Sequence, residues 1–172
     1  MAIIDSLLAE LEHEAVTTQR VLERVPAAHL AWRPHPKSMS LGQLALHIAT
    51  VPGNVAQLAS HLTVPNPPDF VQPEATDARE LVPALAASIA QARQLLGGLD
   101  DAAMAATWRL LNDGRELMAL PRAALLRAVM LNHWYHHRGQ LLVYLRLLDV
   151  PVPSVYGPTA DENPLQAAAA AS

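Results

Sequence analysis

Apolar residues recur at alternating steps of four and three in four separate stretches of this chain. That spacing keeps one face of an α-helix turned toward a neighbour. The first stripe is Ile4, Leu8, Leu11, Ala15, Thr18, Leu22 and Val25, and Pro26, which cannot continue a helix, is expected to end it. The second helix opens at Ser40, where Ser40 and Gln43 fit a capping box, and its stripe is Leu44, His47, Val51, Val55 and Leu58. Pro52-Gly53 interrupts it. Proline cannot donate to the carbonyl of Ile48, so a kink is expected there, with the helix continuing to about His61. The third runs from about Asp77 to Leu96, with Leu81, Leu85, Ser88, Ala92 and Leu95 as its seam, a ragged start at Pro83 and a stop at Gly97-Gly98. The fourth and longest runs from Pro121 to Leu148. Its seam reads Leu126, Met130, His133, His137, Gln140, Tyr144 and Leu147.

The connections have their own signatures. TVPNPPDFVQPEAT is proline-rich and polar, a long loop crossing the outside between helices two and three. TWRLLNDGRELMAL carries Asp113-Gly114, a two-residue turn signal, and is expected to form a small hairpin or extended loop before helix four. DVPVPSVYGPTADENP is kept extended by proline, and the final QAAAAAS reads either as a frayed helix or as a disordered end. The predicted fold is all-α: a four-helix bundle domain over residues 1–158, followed by a low-complexity tail over 159–172.

Composition narrows the function classes. With 172 residues the chain is long enough to bury one proper core. It is 51% hydrophobic and 16% charged, a globular balance, and its net charge of −4 without a basic run argues against nucleic acid as a partner. No apolar run reaches the ~18 residues of a membrane span. The opening MAIIDSLLAELEHE lacks the basic start of a secretory signal, so the cytoplasm is the expected location. Cysteine is absent, so any metal must be held by nitrogen and oxygen, and any thiol chemistry must use an external thiol.

The histidines change the picture most. His133 and His137 stand on the long helix where a bundle would place leucine, ~40° apart around the axis and ~6 Å apart along it. Two imidazoles on one inward face are a ready pair of metal ligands, and His47 lies on the apolar stripe of helix two. A lone histidine on such a face is more often an ordinary core residue. The pair at this spacing is what shifts the balance toward a metal.

Three stretches resemble the DinB-like family of four-helix-bundle candidate metalloenzymes, to which the YfiT-type proteins also belong. They are AWRPHPKSMSLGQLALHIA, NHWYHHRGQLLVYLRLL with its H-x-x-x-H-R-G-Q run, and VPVPSVYGP. Together they span Ala31 to Pro158 in the family's order. The resemblance implies one metal ion held by His47 from the second helix and by His133 and His137 from the fourth. It leaves the ion open, with zinc or nickel ahead of iron. It also implies a coordination position open to a small-molecule substrate, a thiol-dependent transferase-type activity with an external low-molecular-weight thiol as cofactor, and a homodimer. A hydrolase remains within the enzyme reading. The alternative is a non-catalytic, stress-associated dimeric module that binds a metal or ligand without turning it over.

Other residues carry weaker expectations. His136 points away from His133 and reads as a surface or supporting residue, with a smaller chance of being the true ligand. Arg138 reads first as a surface or interface ion pair; with Gln140 it could instead orient ligands or meet a substrate carboxylate. Gly139 is expected to permit close helix approach. Trp32 and Tyr156 line the mouth of the site or cover the bundle end. His13, His29, His35 and His61 are expected to be solvated. Glu14 and Asp69 are each chemically able to act as a general base, with nothing in the sequence placing either near the histidines.

Overall fold

The computed structural model describes residues 2–66 and 71–165. Helix α1 spans Ile3–Leu22, α2 Leu41–Ala59, α3 Leu81–Leu96 and the short α4 Asp101–Ala105. One continuous helical rod then runs as α5 (Arg122–Leu125), a π-helical segment (Leu126–Asn132) and α6 (His133–Leu147). Strands β1 (Thr63–Pro65), β2 (Thr107–Asn112) and β3 (Arg115–Pro121) form one sheet in that order. The protein is therefore mostly helical rather than all-α. The expected hairpin is present: Asp113 at φ 49° and Gly114 at φ 79° make the turn between β2 and β3. A two-residue turn of this kind needs both residues left-handed, which Asp-Gly tolerates. The third strand comes from the segment expected to be a loop, where Thr63, Val64 and Pro65 pair in parallel with Arg109, Leu110 and Leu111.

The boundaries also shift. Helix α1 ends at Leu22, a turn before Pro26, and α2 stops at Ala59 rather than His61. The expected capping box of α2 is formed: Ser40 Oγ accepts from the Gln43 amide at 3.1 Å and Gln43 Oε1 accepts from the Ser40 amide at 2.9 Å. A 3-10 turn over Ala78–Glu80 precedes α3, which places Pro83 in the first helical turn where no intrahelical donor is needed.

Helix α2 runs through Pro52, and tertiary partners take up what the proline leaves open. The Trp134 indole N–H donates to the Ile48 carbonyl at 2.8 Å, the acceptor that Pro52 cannot reach. The Gly53 amide donates to Ser88 Oγ at 2.8 Å, and that hydroxyl donates to the Thr50 carbonyl at 3.2 Å. A Cβ on Gly53 would lie 3.1 Å from the Ser88 backbone, so this glycine is what allows α2 and α3 to approach so closely. Gly139, expected to play that part, has nothing within 4 Å of its Cβ position and faces open space.

The core is built from Ile4, Leu11, Val21 and Leu22 of α1, Leu44, Ile48 and Val55 of α2, Leu81, Leu85, Ala92 and Leu96 of α3, and Leu126, Met130, Trp134, Leu141 and Leu145 of the last rod. The predicted stripes of α1 to α3 differ from this by single positions: Leu8, Ala15, His47 and Leu95 are only partly buried, and Leu58 is exposed. In the last rod the two seams agree at Leu126 and Met130 and then part. The buried face continues through Trp134, Arg138, Leu141 and Leu145, one residue past the predicted His133, His137, Gln140 and Tyr144. A π-helix takes more residues per turn than an α-helix, so the segment Leu126–Asn132 rotates α6 about the axis of the rod. His133 and His137 thereby stand on the edge of the buried face, half-buried, instead of at its centre.

Candidate metal centre

Helix α2 and the last rod run antiparallel. The Ile48–Trp134 bond lies at one level, and the Arg122 guanidinium meets the Ala59 carbonyl at 2.7 Å toward the sheet. One residue before each partner of the former bond stand His47 and His133, so the same contact that repairs Pro52 brings these two imidazoles together. His47 Nε2 lies 3.5 Å from His133 Nε2, and His137 Nε2 lies 2.7 Å from it. The three ring centroids are 4.4 to 5.1 Å apart with steep interplanar angles. One nitrogen from each residue falls within 4.8 Å of the others; among the described residues this is the group of side chains able to hold a metal ion.

The remaining ring nitrogens indicate which atoms would ligate. His133 Nδ1 faces the Val129 carbonyl at 3.2 Å, and His137 Nδ1 faces Gln140 Oε1 at 2.7 Å. Both partners are acceptors, so both protons belong on Nδ1 and both Nε2 lone pairs point inward. Two bare nitrogens 2.7 Å apart repel unless a shared proton or a cation lies between them. Tetrahedral zinc with ~2.0–2.1 Å bonds sets its nitrogens ~3.3 Å apart. The His47–His133 separation already suits this, and the His133–His137 pair needs only a small opening. The donor set therefore fits a borderline divalent ion.

Electrostatics also favour the ligating form. Burial first, then the neighbouring His137 and His133 imidazoles, pushes the pKa of His47 down to about 4. His137 is also lowered, chiefly by burial, against the opposing Gln140 hydrogen bond, with His133 and His136 adding to the depression. A neutral imidazole is the form that binds metal.

The other sequence-selected residues, Gln140 excepted, sit apart from this cluster. His136 is exposed, with its ring 5.1 Å from that of His137, and His13, His29, His35 and His61 are exposed as expected. Gln140 supports a ligand directly. Arg138 is an interior residue, 1% exposed, and not a surface ion pair. It pairs with Glu14 Oε2 at 2.6 Å and donates to Thr18 Oγ1 at 3.0 Å and to the Tyr156 hydroxyl at 2.6 Å. The rings of Tyr135 and Tyr156 flank its Cζ at 5.2 and 5.1 Å. The π segment again explains the difference, since it turns Arg138 toward α1. Glu14 is thus committed to this pair rather than free to act as a base. Tyr156 also donates to Glu14, at 3.0 Å. Trp32 packs edge-on against Tyr144 at 5.6 Å, so neither aromatic is engaged with the histidines. Asp69 lies outside the described residues.

A mostly helical fold that joins one histidine from α2 to two from the last rod defines a class of helical protein with a three-imidazole cluster. Residues 2–166 match the family model described as the DinB family, and the chain belongs to that family. It is 26% identical to YrdA of Bacillus subtilis strain 168 over 166 residues, covering 92% of this chain and 91% of the relative. Two crystal structures share the fold. A DinB-like protein from Bacillus cereus ATCC 10987 superposes with a TM-score of 0.67 at 22% identity, covering 88% of this chain and 97% of the other. The DinB-like protein YjoA of B. subtilis gives 0.66 at 21% identity, covering 87% and 96%. No helix among the described residues is long and apolar enough to cross a membrane.

Proposed function

We propose that this protein binds one divalent metal ion through Nε2 of His47, His133 and His137 and uses it, with an external low-molecular-weight thiol, in a transferase-type reaction. The observation that carries the metal is the convergence of three inward nitrogens, two of them with their other ring nitrogen held by an acceptor. Three protein ligands leave a coordination position for an outside group. A zinc or nickel ion there, or iron, would hold a thiol in its deprotonated, nucleophilic form. The chain's own part is to hold the ligating forms in place: burial favours neutral His47 and His137, while Val129 and Gln140 align His133 and His137. With no cysteine in the sequence, the thiol comes from outside.

Elemental analysis of protein purified without an affinity tag tests the metal. The wild type is expected to hold about one equivalent, His133→Ala close to none, and His136→Ala as much as the wild type. Full metal content in His133→Ala would overturn the assignment. Cobalt substitution tests the thiol: its visible spectrum should shift when a small thiol is added, and silence across common thiols would remove the transferase reading while leaving the metal in place.

A further inference from the structure

Between α2, α3, the last rod and the small sheet lies a cleft of about 520 Å³. Its size falls within the range of small-molecule sites. Its walls are apolar, with Trp108 and Leu110 from β2, Met118 from β3 and Val129 from the rod. Set among them are four carboxamides, Asn54, Gln57, Asn66 and Gln91, and among the described residues no charged side chain lines it. The Trp108 indole N–H is already spent on the Leu58 carbonyl at 3.0 Å, so the ring contributes surface and not a donor. Gln91 Nε2 donates to Gln57 Oε1 in a long bond of 3.5 Å, which leaves the Gln57 amino group and the Gln91 carbonyl oxygen to meet a ligand. Two of the apolar side chains at this cleft are substantially exposed, Leu58 at 41% and Met118 at 44%.

The cleft adjoins the histidines. Val129 lines it, and the carbonyl of the same residue faces His133 Nδ1. Asn54 stands seven residues after His47 in α2, which places it ~20° from that histidine around the helix and ~10 Å further along. The geometry points to this cleft as the seat of an uncharged, largely apolar small molecule bearing a carbonyl or amide group, held by the carboxamides and directed at its Val129 end toward the three imidazoles. This deepens the proposed function, since it names the class of substrate, and its claim on the metal rests on that reading. A charged ligand would lose its hydration here without a counter-ion to replace it, which is why an uncharged molecule is favoured.

The dye prodan, an uncharged naphthalene carrying a ketone, is a suitable probe because its emission reports the polarity around it. Added to metal-free protein, it should bind at one site with blue-shifted emission. A naphthalenesulfonate of similar size should bind at least about tenfold more weakly, and Met118→Asp, at the exposed rim, should weaken prodan by about tenfold or more. Asn54→Ala gives a second variant at an exposed position. Unchanged prodan affinity in both variants, equal binding of the sulfonate, or a dye signal that falls as the protein self-associates would overturn the cleft assignment. In a separate arm, cobalt(II) should broaden the proton signals of bound prodan in the wild type and not in His133→Ala. Dye binding without broadening in cobalt-loaded protein would overturn the orientation toward the imidazoles. Failure of cobalt to bind at all would instead remove the metal reading, and the dye arm would still decide the cleft.

Discussion

At the scale of single residues, Trp134 links two otherwise separate matters. Its ring fills the core, and its N–H satisfies the carbonyl that Pro52 orphans in α2. Trp134→Phe keeps most of the apolar volume and leaves Ile48 with a buried, unpaired acceptor. Denaturant unfolding should show a loss of about 1–3 kcal/mol. Because Ile48 and Trp134 directly follow His47 and His133, the same variant should also loosen metal binding; a metal affinity equal to that of the wild type would show that the imidazoles are aligned without this bond. Arg138 belongs to the same scale. Arg138→Met would leave Glu14 buried without its counter-ion, at a cost of about 3–5 kcal/mol in the same measurement.

Among the elements, two glycines in helices make opposite predictions. Gly53 is pressed against α3, where an added methyl meets Gln91 Oε1 at 2.6 Å and Ser88 Cα at 3.1 Å. Gly53→Ala should destabilise by about 1–3 kcal/mol, because the Ser88 backbone cannot yield as a side-chain tip can. Gly139 lies mid-helix in α6 with free space around it, so Gly139→Ala should stabilise by about 0.5–1 kcal/mol through the unfolded chain alone. Thermal melts of both variants check the pair. Sequence periodicity located the long helices, the capping box and the Asp113-Gly114 turn because each is a local preference. It could not see the π segment, and every seam position after Met130 moved by one as a result. The histidine cluster survived the error because a one-residue rotation carries a pair at i and i+4 together. The burial of Arg138 was hidden for the same reason, and β1 because its partner strand lies over forty positions away in the chain.

Across the whole molecule, the segment after α6 ties the two ends of the chain together. Arg146 pairs with Asp161, and Asp161 Oδ2 also accepts from the Val152 amide at 2.8 Å. Arg20 of α1 pairs with Glu162, which accepts from the Ser154 amide at 3.0 Å. Both carboxyls are held below their ordinary values: Asp161 chiefly by Arg146 and then by the Val152 amide, Glu162 chiefly by the Ser154 amide and then by Arg20. A depressed carboxyl contributes stability that is complete above its unfolded value and is lost as the pH falls through its folded one. The segment should therefore be fully held at neutral pH and released below about pH 4, ahead of the core. Hydrogen-exchange protection factors at Val152 and Ser154 measure this, and retained protection at pH 2 would contradict it.

The wide turn over Leu126–Asn132 has a last consequence. It acts as a fixed phase offset between the two halves of one shaft. Excising a single amino acid there would restore regular winding at almost the same phase, because six α-helical residues turn about as far as the seven of this segment. Trp134, Arg138 and both imidazoles of the shaft would keep their counterparts, whereas the same excision made within α6 would swing everything beyond it by ~100°.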